Sequence, residues 1–111
     1  MKAFEQLTPQ QWNDWVNENN AVKLDVRTAG EFSDSYINGA TNIDINSADF
    51  AQKVAELDRN AAYGVYCRSG MRSTKAMNMM QEMGFTCVNN LSGGIMGWEH
   101  AKFEVEYGDD F

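Results

Sequence analysis

Short apolar runs alternate along this chain with segments whose apolar residues recur at helical spacing. Residues 22–26, 62–66 and 85–88 are the clearest strand-like runs, and helix-like segments lie between them. Strands that alternate with helices pair in parallel, because each helix carries the chain back across one face of the sheet. The pattern predicts an α/β fold, a doubly wound and mainly parallel sheet of about five strands with helices on both faces.

With 43% hydrophobic residues in a chain of 111, there is enough apolar material for one core, so we expect a single domain over residues 1–111. In the tail, residues 103–111, apolar and acidic positions alternate, which predicts a weak edge strand or a flexible end. The net charge of −7 disfavours a nucleic acid as partner. No apolar run approaches the length of a membrane span and no signal peptide is recognisable, so we expect no membrane contact and a cytoplasmic location.

The clearest helix start is at Thr8, which is followed by Pro9 and, at capping-box spacing, by Gln11. This helix should extend to about Asn19 and bury its tryptophans. Two later helices are expected to begin at the N-caps Ser47 and Ser73.

Cys67 ends the apolar run 62–66 and is followed by a short polar loop and a helix-like segment. Backbone N–H groups at a helix N-terminus favour negative charge, and Arg68 and Arg72 add full positive charges. Both effects lower the pKa of a thiol and favour the thiolate, which is its reactive form. Ligands of open parallel sheets bind at the carboxyl ends of the strands, where Cys67 is expected. Cys67 is therefore the candidate nucleophile.

Four patches of the sequence stand out together: Leu24-Asp25-Val26-Arg27 with Glu31-Phe32, Ile37-Asn38-Gly39-Ala40-Thr41-Asn42-Ile43, Cys67-Arg68-Ser69-Gly70-Met71-Arg72-Ser73, and Leu91-Ser92-Gly93-Gly94 with Trp98. In order and spacing they resemble the signatures of single-domain rhodaneses, sulfurtransferases that carry sulfur on a cysteine as a persulfide. The resemblance covers nearly the whole chain, from Leu7 to Trp98. The resemblance implies a rhodanese-like fold.

The resemblance also implies a thiosulfate sulfurtransferase in which Cys67 accepts the sulfane sulfur. The donor would be a small anion, thiosulfate or a persulfide, and the acceptor a thiol or cyanide; a protein donor or acceptor is a further option. Arg72 is expected to order the loop and assist anion binding, and Arg68 to set donor preference. The residues implied in substrate binding are Arg68, Ser69, Gly70, Met71, Arg72 and Ser73.

Other residues are assigned structural roles. Asp25 and Arg27 are expected to form a partly buried ion pair that supports the loops. Tyr36 stands where many family members have a histidine, so this patch provides no histidine base; a thiolate held by amides needs none. Cys87 is expected in the middle of a strand as a buried, inert thiol, and both cysteines as reduced. One histidine and two distant cysteines match no metal-ligand spacing, so neither a metal nor a cofactor is expected.

Three alternative functions use the same features. A persulfide carrier that receives sulfur from one protein and passes it to another would need the same loop. A non-catalytic interaction module could keep the fold, although the presence of Cys67 and Arg72 argues against it. A cysteine phosphatase also combines a thiolate, amides and an arginine, but the loop here is one residue shorter, which suits a single sulfur better than a phosphate ester.

Overall fold

The computed structural model describes residues 3–108, which form five helices and seven strands. The elements in chain order are β1 (Gln6–Leu7), α1 (Pro9–Asn19), β2 (Val22–Asp25), α2 (Ala29–Asp34), β3 (Ser35–Tyr36), β4 (Thr41–Asn42), α3 (Phe50–Ala55), β5 (Ala62–Tyr66), α4 (Met71–Glu82), β6 (Cys87–Leu91), α5 (Gly94–His100) and β7 (Glu106–Tyr107). None of the described helices is long and apolar enough to span a bilayer.

Five of the strands form one sheet in the order β1-β6-β5-β2-β4, and every pairing in it is parallel. The two remaining strands, β3 and β7, form a separate antiparallel ribbon. The central strand of the sheet is β5, with β6 on one side and β2 on the other. The α/β fold with a parallel sheet of five strands, predicted from the alternation, is confirmed.

Helices cover both faces of the sheet and bury a separate cluster on each. One cluster includes Phe50 and Val54 from α3 and Met80 from α4, and the other includes Trp12 from α1 and Trp98 from α5. Successive residues of β5 point to opposite faces, as the two-residue period of a strand requires. The core prediction for the tryptophans of α1 is confirmed, since Trp12 and Trp15 are both buried.

The start of α1 follows the predicted capping box. Thr8 Oγ1 accepts a hydrogen bond from the Gln11 N–H, and Gln11 Oε1 accepts one from the Thr8 N–H. The helix ends at Asn19, and Asn20 adopts the left-handed conformation with φ of 50°. The bounds predicted for this helix are confirmed.

Three boundaries differ from the prediction. Helix α3 has Asp49 rather than Ser47 as its N-cap. Helix α4 starts earlier than expected, since Gly70 rather than Ser73 is the N-cap; a glycine in the left-handed conformation ends the loop one turn sooner than side-chain capping rules predict. Cys87 is the first residue of β6 and not a mid-strand residue, because the strand begins at Cys87 and ends at Leu91 instead of covering residues 85–88.

The tail returns to the body of the protein. Phe103 stacks on Trp98 with ring centroids 4.5 Å apart, and Trp98 Nε1 donates to the Glu104 carbonyl at 2.8 Å. Strand β7 then pairs with β3. Of the two options for this segment, an edge strand forms as far as it is described; residues 109–111 lie outside the described residues.

Candidate active site

Cys67 directly follows β5, so its position at the carboxyl end of the central strand is as predicted. Helix α4 begins only a few residues later, at Met71. The segment between them is a tight loop with Gly70 in the left-handed conformation, φ 104°. This turn places the N-terminus of α4, with its unpaired N–H groups, beside the cysteine.

Several donors surround the sulfur of Cys67. The Gly70 N–H lies 3.0 Å from Sγ and the Ser73 hydroxyl 3.4 Å from it. Burial opposes ionisation of this thiol, but hydrogen bonds from the Ser73 hydroxyl and from the N–H groups of Ser73, Gly70 and Ser69 lower its pKa below the ordinary value. The site therefore favours a thiolate.

The loop is held from behind by the start of α5. The N–H groups of Ile95 and Met96 donate to the carbonyls of Cys67 and Arg68 at 2.9 and 3.1 Å. A Cβ atom on Gly94 would lie 2.4 Å from the Arg68 carbonyl oxygen, closer than any side chain allows. Close backbone approach, which only glycine permits, brings α5 against the loop.

Arg72 forms an ion pair with Glu31 of α2. Its Nη1 and Nη2 atoms donate to the two carboxylate oxygens at 2.8 and 2.9 Å. Glu31 also accepts from the N–H of Thr28 at 3.1 Å in a capping box at the start of α2. The hydrogen bonds from Arg72, followed by those from Thr28, lower the pKa of Glu31 to about 2. The pair fixes the guanidinium between the loop and α2.

The other loop side chains face outward. Arg68 and Ser69 are exposed, and the Met71 side chain is 81% exposed. Arg68 and Glu31 line a cleft of about 400 Å³. Ser69, Gly70 and Met71 line a second cleft of about 440 Å³. The six residues assigned to substrate binding thus divide into a group beside the sulfur and a group at the rim.

Asp25 and Arg27 form an ion pair that is fully buried rather than partly buried. Arg27 Nη2 lies 2.7 Å from Asp25 Oδ2, and both side chains are at most 4% exposed. The same nitrogen donates to the Ser35 carbonyl at 2.6 Å. The pair therefore ties the end of β2 to the start of β3.

Tyr36 and Cys87 belong to strands outside the cysteine loop. Tyr36 stacks on Phe32 with ring centroids 4.6 Å apart and belongs to the β3–β7 ribbon. Cys87 is buried at the opposite end of the sheet, where burial raises the pKa of its thiol. Cys67 and Cys87 are not joined by a disulfide. Within residues 3–108, no group of three or more side chains has the arrangement of a metal site.

Sequence reasoning missed three polar residues that contact the loop or its arginine. Glu31 was part of a recognised patch but had no assigned partner; its position three residues after Thr28 is a capping-box signal. Asn90 and Thr74 contact the Gly70 carbonyl. The two adjacent asparagines, Asn89 and Asn90, in an otherwise apolar strand were the available signal for Asn90.

The sequence is similar to that of known sulfurtransferases. The thiosulfate sulfurtransferase GlpE of Actinobacillus succinogenes is 33% identical over 104 residues, which cover 94% of this chain and 92% of GlpE. The probable adenylyltransferase/sulfurtransferase MoeZ of Mycobacterium tuberculosis is 30% identical over 93 residues, but these span 83% of this chain and only 24% of MoeZ.

Solved structures share the fold. The rhodanese-related protein of Thermoplasma volcanium matches with a TM-score of 0.81 at 24% sequence identity, covering 92% of this chain and 97% of that chain. Residues 8–101 match the sequence model of the family described as rhodanese-like domain. The chain belongs to the rhodanese-like domain family.

Proposed function

We propose that this protein is a sulfurtransferase that carries sulfane sulfur on Cys67 as a persulfide. Similarity to sulfurtransferases at about 30% identity supports sulfur transfer in general. The observation that carries the persulfide step is the set of donors directed at Cys67 Sγ, with the Gly70 N–H at 3.0 Å and the Ser73 hydroxyl at 3.4 Å. These donors favour the thiolate that such a step needs.

In the first half-reaction the Cys67 thiolate attacks the outer sulfur of a donor such as thiosulfate. A new sulfur–sulfur bond forms to Cys67, the sulfur–sulfur bond of thiosulfate breaks, and sulfite leaves with its electron pair. Thiosulfate and sulfite are anions, and the N-terminus of α4 provides compensating positive charge, while Arg72 offsets the Glu31 carboxylate that would otherwise repel them. A thiolate nucleophile needs no base to remove a proton from it during the attack.

In the second half-reaction an acceptor attacks the terminal sulfur of the persulfide. Cyanide forms thiocyanate and a thiolate forms a new persulfide, and in each case Cys67 leaves as the thiolate. The N–H groups that bind the thiolate can bind the negatively charged terminal sulfur of the persulfide equally well. The same loop therefore serves both halves of a ping-pong cycle.

The physiological partners belong to the same proposal. A small donor reaches the loop against the overall charge of −7, so the local positive charge of Arg68 and of the α4 N-terminus has to attract it. The exposed rim of the loop also leaves room for a protein donor or a protein acceptor. Thiosulfate would then take the place of the protein donor. A cytoplasmic location would keep the Cys67 thiol reduced.

The test is the intact mass of the protein after incubation with thiosulfate or glutathione persulfide. Wild type is expected to gain one sulfur atom, and Cys67→Ser to gain none. Cys87→Ser is the matched control, since this cysteine is buried at the other end of the sheet, and it should load like wild type. Subsequent cyanide should remove the sulfur. No gain by wild type, or an equal gain by Cys67→Ser, would rule the proposal out.

A further inference from the structure

Asn90 is a fully buried polar residue of β6 beside the cysteine loop. Its Nδ2 donates to Gln6 Oε1 at 2.7 Å and to Thr74 Oγ1 at 3.1 Å. The same nitrogen lies 3.3 Å from the carbonyl oxygen of Gly70. Gln6 Nε2 donates to the same Thr74 oxygen at 2.8 Å. These bonds connect β1, β6 and the start of α4.

The network ends on the carbonyl of Gly70. Thr74 donates to this oxygen twice, from its hydroxyl at 2.7 Å and from its backbone N–H at 3.1 Å. Asn90 Nδ2 is the third and most distant donor, at 3.3 Å; since this nitrogen has two hydrogens and three acceptors, at least one hydrogen is shared between acceptors. The N–H of the same glycine donates to Cys67 Sγ at 3.0 Å. Gly70 thus connects the network to the sulfur.

An asparagine at this strand position stabilises the fold poorly. A buried amide costs free energy unless all of its polar atoms are paired. Asn90 Oδ1 has no hydrogen-bond partner among the described residues. An apolar residue would avoid that cost, and local departures from the best packing are concentrated at functional sites.

We propose that Asn90 and Thr74 are positioning residues that anchor the Gly70 carbonyl and thereby keep the Gly70 N–H directed at Cys67 Sγ. The proposal rests on the proposed role of Cys67 as nucleophile. It gives a reaction-related reason for two polar residues that do not themselves contact the sulfur.

The Gly70 carbonyl needs an anchor because a glycine backbone is flexible. Gly70 has φ of 104°, and glycine has more backbone freedom than any other residue. Holding its carbonyl fixes the Gly70–Met71 peptide and with it the Gly70 Cα, which limits how the adjoining Ser69–Gly70 peptide, the carrier of the Gly70 N–H, can turn. If that peptide turned over, a carbonyl oxygen would replace an N–H group near the sulfur, and the thiolate would lose a donor and gain a repulsive dipole.

The experiment follows the alkylation of Cys67 by iodoacetamide as a function of pH. Trypsin separates the two cysteines, because Cys67 lies between Arg59 and Arg68, so the mass of that peptide reports Cys67 alone. Thr74→Val removes the hydroxyl and nearly keeps the shape, whereas Thr74→Ser restores the hydroxyl. Thr86→Val is the matched control on an exposed threonine that bonds the Arg59 carbonyl. Thermal unfolding is recorded for each variant.

Thr74→Val is expected to slow alkylation at neutral pH about threefold or more, the size of one lost hydrogen bond, and to shift the pH profile upward. Thr74→Ser and Thr86→Val should follow wild type. Asn90→Leu, which fills the same volume without the amide, should shift the profile in the same direction as Thr74→Val. A lower melting temperature with an unchanged pH profile in Thr74→Val would overturn the proposal, whatever the fate of Asn90→Leu.

The alkylation assay does not depend on sulfur transfer. If wild type took up no sulfur from thiosulfate while Thr74→Val still shifted the alkylation profile, the proposed function would fail and the positioning role would stand. If wild type loaded sulfur normally but the profile did not move, only the positioning role would fail.

Discussion

Arg72 of the cysteine loop and Glu31 of α2 are joined by two parallel hydrogen bonds, at 2.8 and 2.9 Å. The pair matches the fork of a guanidinium to the two oxygens of a carboxylate, which fixes direction as well as distance. Since Glu31 also closes the capping box of Thr28, the position of the arginine is set by the start of α2.

We expect Arg72→Ala to impair sulfur loading more than Arg68→Ala. Loss of Arg72 removes a cation beside the loop and leaves the Glu31 carboxylate unpaired there, which should slow loading about tenfold or more. Arg68 is exposed at the rim, and its loss should cost about threefold or less. The rate of persulfide formation from thiosulfate, followed by mass, decides the order. Equal losses in the two variants would contradict it.

The Glu31–Arg72 pair also predicts how stability depends on pH. The pKa of Glu31 is lowered from 4.5 to about 2 in the folded protein, so the folded state binds this proton less readily than the unfolded state. The contribution of the pair is then complete above pH 4.5 and is lost as the pH falls toward about 2. After allowance for solvent screening it is roughly 1 kcal/mol. Urea unfolding of wild type and Glu31→Gln should converge at low pH; a constant difference would argue against the pair.

The buried pair of Asp25 and Arg27 predicts a larger effect on stability. Asp25→Ala leaves the Arg27 guanidinium, 4% exposed, without its carboxylate, which is expected to cost about 3–5 kcal/mol. Lys53→Ala breaks a pair whose side chains are 56% and 47% exposed and should change the free energy of unfolding very little. Chemical denaturation measures both. A small loss in Asp25→Ala would mean that water reaches the arginine.

Gly94→Ala is expected to disrupt the cysteine loop. Its Cβ would meet the carbonyl oxygens of Arg68 and Cys67 at 2.4 and 2.6 Å, and the rigid backbone on both sides leaves no easy relief. Gly30→Ala is the control, because a Cβ there meets only Thr28 Oγ1 at 3.9 Å. Sulfur loading should fall sharply in the first variant and persist in the second. Normal loading by Gly94→Ala would show that the loop can move away from α5.

Local signals were sufficient for much of the fold. The capping box at Thr8 gave correct bounds for α1 because it depends on neighbouring residues alone. The start of α4 was misplaced because Gly70 forms the turn by its backbone conformation, and a serine nearby looked like the better cap. Strand β1 was not expected at all, since its two residues are a strand only through pairing with β6.

The candidate site likewise has one part that the sequence predicts and another part that it does not. Cys67 and its loop were recognisable from a contiguous segment, whereas the partners of that loop come from distant parts of the chain. Glu31 contacts Arg72 across 41 positions, and Asn90 contacts Gly70 across 20. Such contacts are set by tertiary packing, which spacing in a single sequence does not encode.

Ser73 lies inside the first turn of α4 rather than at its N-cap. Its hydroxyl is 3.4 Å from Cys67 Sγ and is the foremost of the hydrogen bonds that lower the pKa of this thiol against the effect of burial. Ser73→Ala should therefore raise that pKa and slow alkylation at neutral pH by roughly three- to tenfold, the range of one hydrogen bond of about 0.5–1.5 kcal/mol. Above the pKa of both proteins the rates should converge, because each thiol is then ionised. A rate ratio that stays constant across the whole pH range would instead point to steric access, and the hydroxyl would have no part in ionisation.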